Sequence, residues 1–270
     1  MAAAAPHAPR RAPAAEPSAG GRAPAPLAVR GLLPALAACL LLAAFSGGAT
    51  DLPGESWVQL ALAVLAAAAC CAWLYGGGIA LRAPRAAWAG LGLLTAFALW
   101  SGLSIAWSVA PDRSWAELNR GLAYVLAALL GIAAGTSLAR ASARACATLT
   151  FAGVLIALFA LAGKTVPGVS LGGLLDLDQA GEVSRLRAPF GYWNALGLAC
   201  ALAAPPAVAV ALDRRRGAAG RTAALLGLAV LLVVLALTYS RGALVALLCG
   251  LGLVLAVGGA RLRVLAVSLA

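Results

Sequence analysis

Histidine is almost missing from this sequence. His7 is the only one and it stands in the N-terminal arm, so histidine-based acid–base or metal chemistry has no seat in the apolar body of the chain. Charge is scarce as well: 11% of residues are charged against 63% hydrophobic, the reverse of the balance in a soluble domain. The six cysteines (Cys39, Cys70, Cys71, Cys146, Cys200, Cys249) all lie in or at the edge of apolar runs, and none has zinc-site spacing. Neither a disulfide framework nor a metal is implied. The runs also lack the two-residue alternation of a membrane barrel, which leaves helices as the way to close backbone hydrogen bonds in hydrocarbon.

What the sequence does have is a series of apolar stretches, each near the roughly 20 residues a helix needs to cross a bilayer. The net charge of +11 could suggest a nucleic-acid binder, but the arginines fall in small groups between apolar runs, so no nucleic-acid partner is expected. The fold class is therefore all-α, a polytopic transmembrane helical bundle. Residues 1–30 read as a disordered basic cytoplasmic arm rich in Ala, Pro, Gly and Arg, and residues 31–270 as a multi-span membrane domain. Spans are predicted over 31–47, 57–76, 87–106, 119–138, 146–163, 190–212, 222–239 and 242–259, eight in all. The apolar segment after Arg263 reads as the start of a ninth, and hence as a chain truncated at its C-terminus.

Alternating the loops between two sides tests this drawing. One side collects Arg82 and Arg85, Arg140 and Arg144, Arg214, Arg215, Arg216 and Arg221, Arg261 and Arg263, besides the arginines of the N-terminal arm, with only Glu16 and Asp213 as acids. The other side holds the remaining acids. Basic loops mark the cytoplasm, so the N-terminus is predicted cytoplasmic. Trp57, Trp73, Trp88, Trp107, Trp115, Tyr192, Trp193 and Tyr239 fall near span ends, as interfacial anchors do. Ser114 and Glu117 have capping-box spacing, which predicts a helix starting at Trp115. Gly131 and Gly135 read as a close helix-packing pair, and Pro205-Pro206 as a bend in the sixth span.

Functional sites in such proteins are sought among polar groups the bilayer should exclude. Two places qualify. One is Arg185-Leu-Arg187-Ala-Pro-Phe-Gly-Tyr192-Trp-Asn194-Ala-Leu-Gly, leading into the sixth span, and the other is Thr238-Tyr-Ser240-Arg241-Gly-Ala, the short turn opening the eighth. Both spans start on the extracytoplasmic side, so both present unpaired amides and the positive end of a helix dipole there. Arg187 beside one and Arg241 beside the other make an anion site for a phosphate at the membrane surface. Arg241 as a snorkelling residue is the competing reading, against which stand its non-cytoplasmic position and the adjoining Gly242. Asn194 serves equally as a helix–helix partner or a ligand contact, and Arg185 and Arg187 can pair with Asp176, Asp178 or Glu182 in their own loop.

At these two places the sequence resembles the O-antigen ligase and O-antigen polymerase superfamily, bacterial membrane proteins that act on lipid-linked glycans. The matching features are Arg187 followed by Pro-Phe-Gly-Tyr-Trp-Asn194-Ala-Leu-Gly, the segment Leu-Thr-Tyr-Ser240-Arg241-Gly-Ala, and Trp107-Ser-Val-Ala-Pro-Asp-Arg-Ser-Trp115 as an early outer loop. The resemblance covers roughly residues 90–260. Where the family has Pro-Asn, this chain has Trp193-Asn194. The resemblance implies transfer or polymerisation of a glycan from an undecaprenyl-diphosphate carrier to a glycan or lipid acceptor on the outer face, without metal or other cofactor. It implies Arg241 and Arg187 as catalytic residues on the diphosphate, with Ser240, Asn194, Tyr192 and Arg185 binding substrate. It further implies a large outer loop with a histidine beyond residue 270, so that this chain alone is expected to be inactive. A transporter or flippase of lipid-linked or small substrates, or a non-catalytic scaffold, are the alternatives; the first asks for polar groups at mid-membrane, of which only Thr95, Ser101 and Ser104 of the third span are candidates.

Overall fold

The computed structural model describes residues 26–76, 78–165, 170–171, 175–176 and 185–257. Eight α-helices follow one another: α1 Leu27–Phe45, α2 Leu52–Leu74, α3 Arg85–Leu103, α4 Pro111–Ser137, α5 Ala141–Thr165, α6 Trp193–Leu212, α7 Ala218–Thr238 and α8 Arg241–Val257. A 3-10 turn, Ser104–Trp107, extends α3. Two-residue strands β1 Ser170–Leu171 and β2 Leu175–Asp176 pair antiparallel between α5 and α6. The first seven helices are long and apolar enough to cross a membrane, which makes this a multi-pass membrane protein. The eighth predicted span is met by the apolar helix α8, of which 17 residues are described, up to Val257. The N-terminal arm through Ala25, the acids Asp178 and Glu182, and the predicted ninth span lie outside the described residues.

Alternate loops gather at opposite ends. At the basic end the α2–α3 loop meets the close of α4: the Ala80 amide donates to Ser137 Oγ at 2.8 Å, and the Thr136 hydroxyl donates to the Ala80 carbonyl. The α4–α5 turn meets the α6–α7 turn through Arg140 and Asp213, 3.7 Å apart. Arg221 of α7 donates from Nε to the Ala211 carbonyl at 2.9 Å, filling an acceptor that the last turn of α6 leaves open. At the acidic end Arg120 of α4 bridges Glu55 of α2 at 3.6 Å and Glu117 at 2.6 Å.

The interior is built from small residues. One buried cluster joins the end of α1 to α5, α6, α7 and α8, and a second joins the start of α1 to α2 and α4. α6 is the most enclosed helix, with Gly197, Cys200, Ala201, Ala203, Ala204, Ala207 and Ala211 among its buried residues. Lipid is as apolar as leucine and supplies no hydrophobic drive between helices, so close backbone approach over Ala and Gly is what gains dispersion energy here. Gly153 of α5 sits against Ala203 of α6, and a Cβ on Gly227 of α7 would stand 2.8 Å from Val154 of α5. Leu93, Phe97, Leu99 and Trp100 of α3 face outward, where acyl chains solvate them.

Two sequence expectations change. Gly131 and Gly135 are exposed with nothing within 4 Å among the described residues, because the face of α4 that carries them turns away from its neighbours; Gly121 instead meets Ala98 of α3. α4 starts at Pro111, not Trp115. Proline suits a first helical position, where no amide donor is needed, so the charged turn Asp112–Ser114 is already helical. Ser114 therefore bonds the Ser108 hydroxyl at 2.9 Å, and Glu117 turns to Arg120. The Pro205-Pro206 pair lies inside α6, with Pro205 Cγ 3.1 Å from where a Cβ on Gly250 of α8 would lie.

Candidate functional site

The site starts with a two-residue reversal between α7 and α8. Tyr239 takes the left-handed conformation (φ 52, ψ 29) and its amide donates to the Ala236 carbonyl at 3.0 Å, which ends α7. A glycine is the usual occupant of such a position, because a Cβ there crowds the following carbonyl. Ser240 then starts α8. Its hydroxyl accepts from the Ala243 amide at 3.2 Å and its carbonyl from the Leu244 amide at 3.1 Å, the geometry of a helix N-cap. Arg241 is thereby the first helical residue, with an exposed side chain.

Thr238 locks this turn from within. It is fully buried; its hydroxyl donates to the Leu235 carbonyl at 2.6 Å and accepts from the Ser240 amide at 3.4 Å.

The segment before α6 is tied to the same place. The amide of Leu186, a buried residue, donates to the Leu237 carbonyl at 3.2 Å, so the main chain between Arg185 and Arg187 is fixed to the end of α7. Both flanking arginines are exposed. Arg185 lays its guanidinium over the Trp193 ring at 5.3 Å, a cation–π contact. The Ala188–Pro189 peptide is cis, and Gly191 has φ 70, a conformation open to it for want of a Cβ. Tyr192 and Trp193 rings lie 5.3 Å apart, and the Asn194 amide nitrogen donates to the Tyr192 hydroxyl at 2.6 Å.

The two helix starts converge. A Cβ on Gly197, in the second turn of α6, would lie 2.9 Å from both Ala243 Cβ of α8 and Thr238 Oγ1, and 3.1 Å from Ser240 Cβ. Absence of a side chain at Gly197 is what lets α6 and α8 meet here. The two first turns, with positive dipole ends at one end of the bundle, act on one region of space. Among the described residues no hydrogen bond reaches the amides of Trp193, Asn194 or Ala195 in α6, or of Arg241 or Gly242 in α8. Free amides next to exposed arginines suit a phosphate or diphosphate.

Each singled-out residue now has a position. Arg241, Arg187 and Arg185 stand exposed at this end, and no ion pair engages Arg241 among the described residues. Ser240 is buried and its oxygen is used by the cap, while Asn194 and Tyr192 engage each other. Sequence reasoning singled out none of Gly197, Thr238 and Leu186, although all three stand inside the motifs. The same end also holds a cavity of about 490 Å³ between α2 and α4, lined among others by Glu55, Gln59, Asp112, Trp115 and Asn119. Among the described residues no group of three or more His, Cys, Asp or Glu could hold a metal ion. Compared with protein-family models, with curated proteins and with solved structures, the chain finds no match.

Proposed function

We propose that this chain is an O-antigen ligase-like membrane glycosyltransferase, which moves or polymerises a glycan from an undecaprenyl-diphosphate carrier for cell-surface polysaccharide synthesis. The convergence of the α6 and α8 starts, with Arg241 exposed as the first residue of α8, is the observation that carries this reading. In it the basic end faces the bacterial cytoplasm and the converging starts face outward, as the arginine distribution asks. Arg241 holds the diphosphate and Arg187 assists. An acceptor hydroxyl oxygen bonds to the anomeric carbon as the carbon–oxygen bond to the diphosphate breaks; the diphosphate leaves with the electron pair, and the hydroxyl proton passes to it or to water. Charge gathering on the leaving oxygens is met by guanidinium groups and helix amides already in place. The activated carrier supplies the driving force, so no nucleotide enters. The nearby cavity, with carboxylate, carboxamide and indole groups, has the chemistry that grips sugar hydroxyls and the apolar face of a pyranose.

Replacing Arg241 by Ala in the gene tests this. Surface glycan is expected to fall about 100-fold at unchanged protein abundance, the scale of losing one charge-stabilising donor. Arg241→Lys keeps the charge but loses the two-pronged geometry, and is expected to recover only part of the output. Unchanged glycan in Arg241→Ala overturns the reading.

A further inference from the structure

A second cavity of about 490 Å³ opens at the opposite, basic end, between the start of α5 and the α6–α7 turn. Arg140, Arg215 and Arg216 line it together with Asp213, and Ala143, Cys146, Ala209 and Val210 give it apolar walls. Asp213 is the only acid among these lining residues. Arg140 and Arg216 share it, with Arg140 Nη2 at 3.7 Å and Arg216 Nε at 3.5 Å from the same oxygen, Oδ2. Neither Asp213 Oδ2 nor Arg216 Nε makes a hydrogen bond, although both atoms are fully buried. Two guanidinium groups thus share one carboxylate, Arg215 lines the same cavity, and Arg216 keeps a buried donor unfilled.

The local backbone sharpens the imbalance. Arg140 immediately precedes α5, its carbonyl accepts the first helical bond from the Arg144 amide at 3.1 Å, and its φ is 56. It therefore occupies the capping position of a long helix, where Ser, Thr, Asp or Asn normally place an oxygen on the free amides. Arginine has no acceptor to offer. Among the described residues nothing hydrogen-bonds the amides of Ala141, Ser142 and Ala143, and the last two of these residues line the cavity. Instead of an acceptor, the chain sets positive side chains around a positive helix end.

We infer that this cavity is a binding site for a phosphate-bearing anion, held by Arg140, Arg215 and Arg216 and by the start of α5. Its oxygens supply the acceptors that Arg140 cannot, fill the open Arg216 Nε, and offset the charge that Asp213 leaves over. The apolar wall of Ala209 and Val210 at the end of α6 suits an acyl-bearing headgroup, and a soluble phosphate shares the same recognising chemistry. The site is at the opposite end of the bundle from the converging helix starts and does not depend on the glycan reading.

The test uses the full chain, purified and presented with short-chain phosphatidylglycerol, with zwitterionic phosphatidylcholine, and with inorganic phosphate, bound lipid being read by native mass spectrometry. Phosphatidylglycerol is expected to be retained in preference to phosphatidylcholine. Arg215→Gln, which removes no ion pair seen in the described residues, is expected to weaken retention about five-fold, the scale of one interfacial cation. Arg214→Gln removes the same charge one residue outside the cavity and is expected to leave retention unchanged. Displacement of the lipid by millimolar phosphate would assign the site to the phosphate group itself, and resistance to displacement would assign it to the lipid headgroup with its chains; either outcome keeps the anion site. Equal losses in Arg214→Gln and Arg215→Gln would reduce the effect to diffuse charge and overturn the proposal, as would equal retention of the two lipids.

Discussion

Gly197 of α6 and Thr238 of α7 lie so close that a methyl group on the glycine would stand 2.9 Å from the threonine Oγ1. That contact, with Ala243 Cβ at the same distance, sets how near the start of α8 comes to the start of α6. Neither neighbour is a flexible side-chain end that can swing aside. Gly197→Ala is expected to push α6 away from the α7–α8 turn at a cost of about 1–3 kcal/mol. Thermal unfolding of the detergent-solubilised protein should show the drop, and on the glycosyltransferase reading surface glycan should fall with it.

Gly131 supplies the opposite case. It is exposed on α4 with no atom within 4 Å of its missing Cβ, so Gly131→Ala meets no obstacle and removes backbone freedom from the unfolded chain. The expected result is an unchanged or higher unfolding temperature, by up to about 1 kcal/mol of stability. A loss as large as that of Gly197→Ala would mean that this face of α4 has a partner.

Tyr239 carries backbone strain in the reversal, since its φ of 52 crowds a Cβ. Tyr239→Gly should relieve it and raise stability by about 1 kcal/mol, whereas Tyr239→Val should lower stability, a β-branched residue being least tolerant of that region. The pair, compared in the same denaturation assay, separates the backbone effect from loss of the exposed phenol, which both variants share.

Ser240 offers a way to tell a cap from a ligand contact. Ser240→Ala removes the oxygen that accepts from the Ala243 amide and should destabilise by about 1 kcal/mol. Ser240→Thr restores the oxygen and should restore stability. If Ser240→Thr recovered stability but not glycan output, the hydroxyl would have a role beyond the cap.

The helix sequence was readable because apolar runs of spanning length, separated by arginine groups, leave little choice of secondary structure. The start of α4 was not. Asp112 and Arg113 suppress the apolar signal across its first turn, yet Pro111 opens the helix there on backbone grounds alone. Nor could the packing glycines be picked by spacing: Gly131 and Gly135 have the textual pattern, while Gly121, Gly153, Gly197 and Gly227 have the contacts. Which side of a helix turns inward depends on its rotation against neighbours, and a helix apolar all round carries no stripe to reveal it. For the same reason the two arginine-bearing motifs could be matched by side of the membrane but not brought together. Their meeting depends on Gly197 and on the Leu186–Leu237 bond, neither of which has a charged or polar signature.

Pro205 and Pro206 have no amide hydrogens, so the carbonyls of Ala201 and Leu202 receive no bond from the residues four places on. α6 is consequently two shorter ladders in series, joined where the ring of Pro205 rests on Gly250 of α8. In a hydrogen–deuterium experiment the halves on either side of that junction should exchange as separate cooperative units, with the eighth helix acting as their splint.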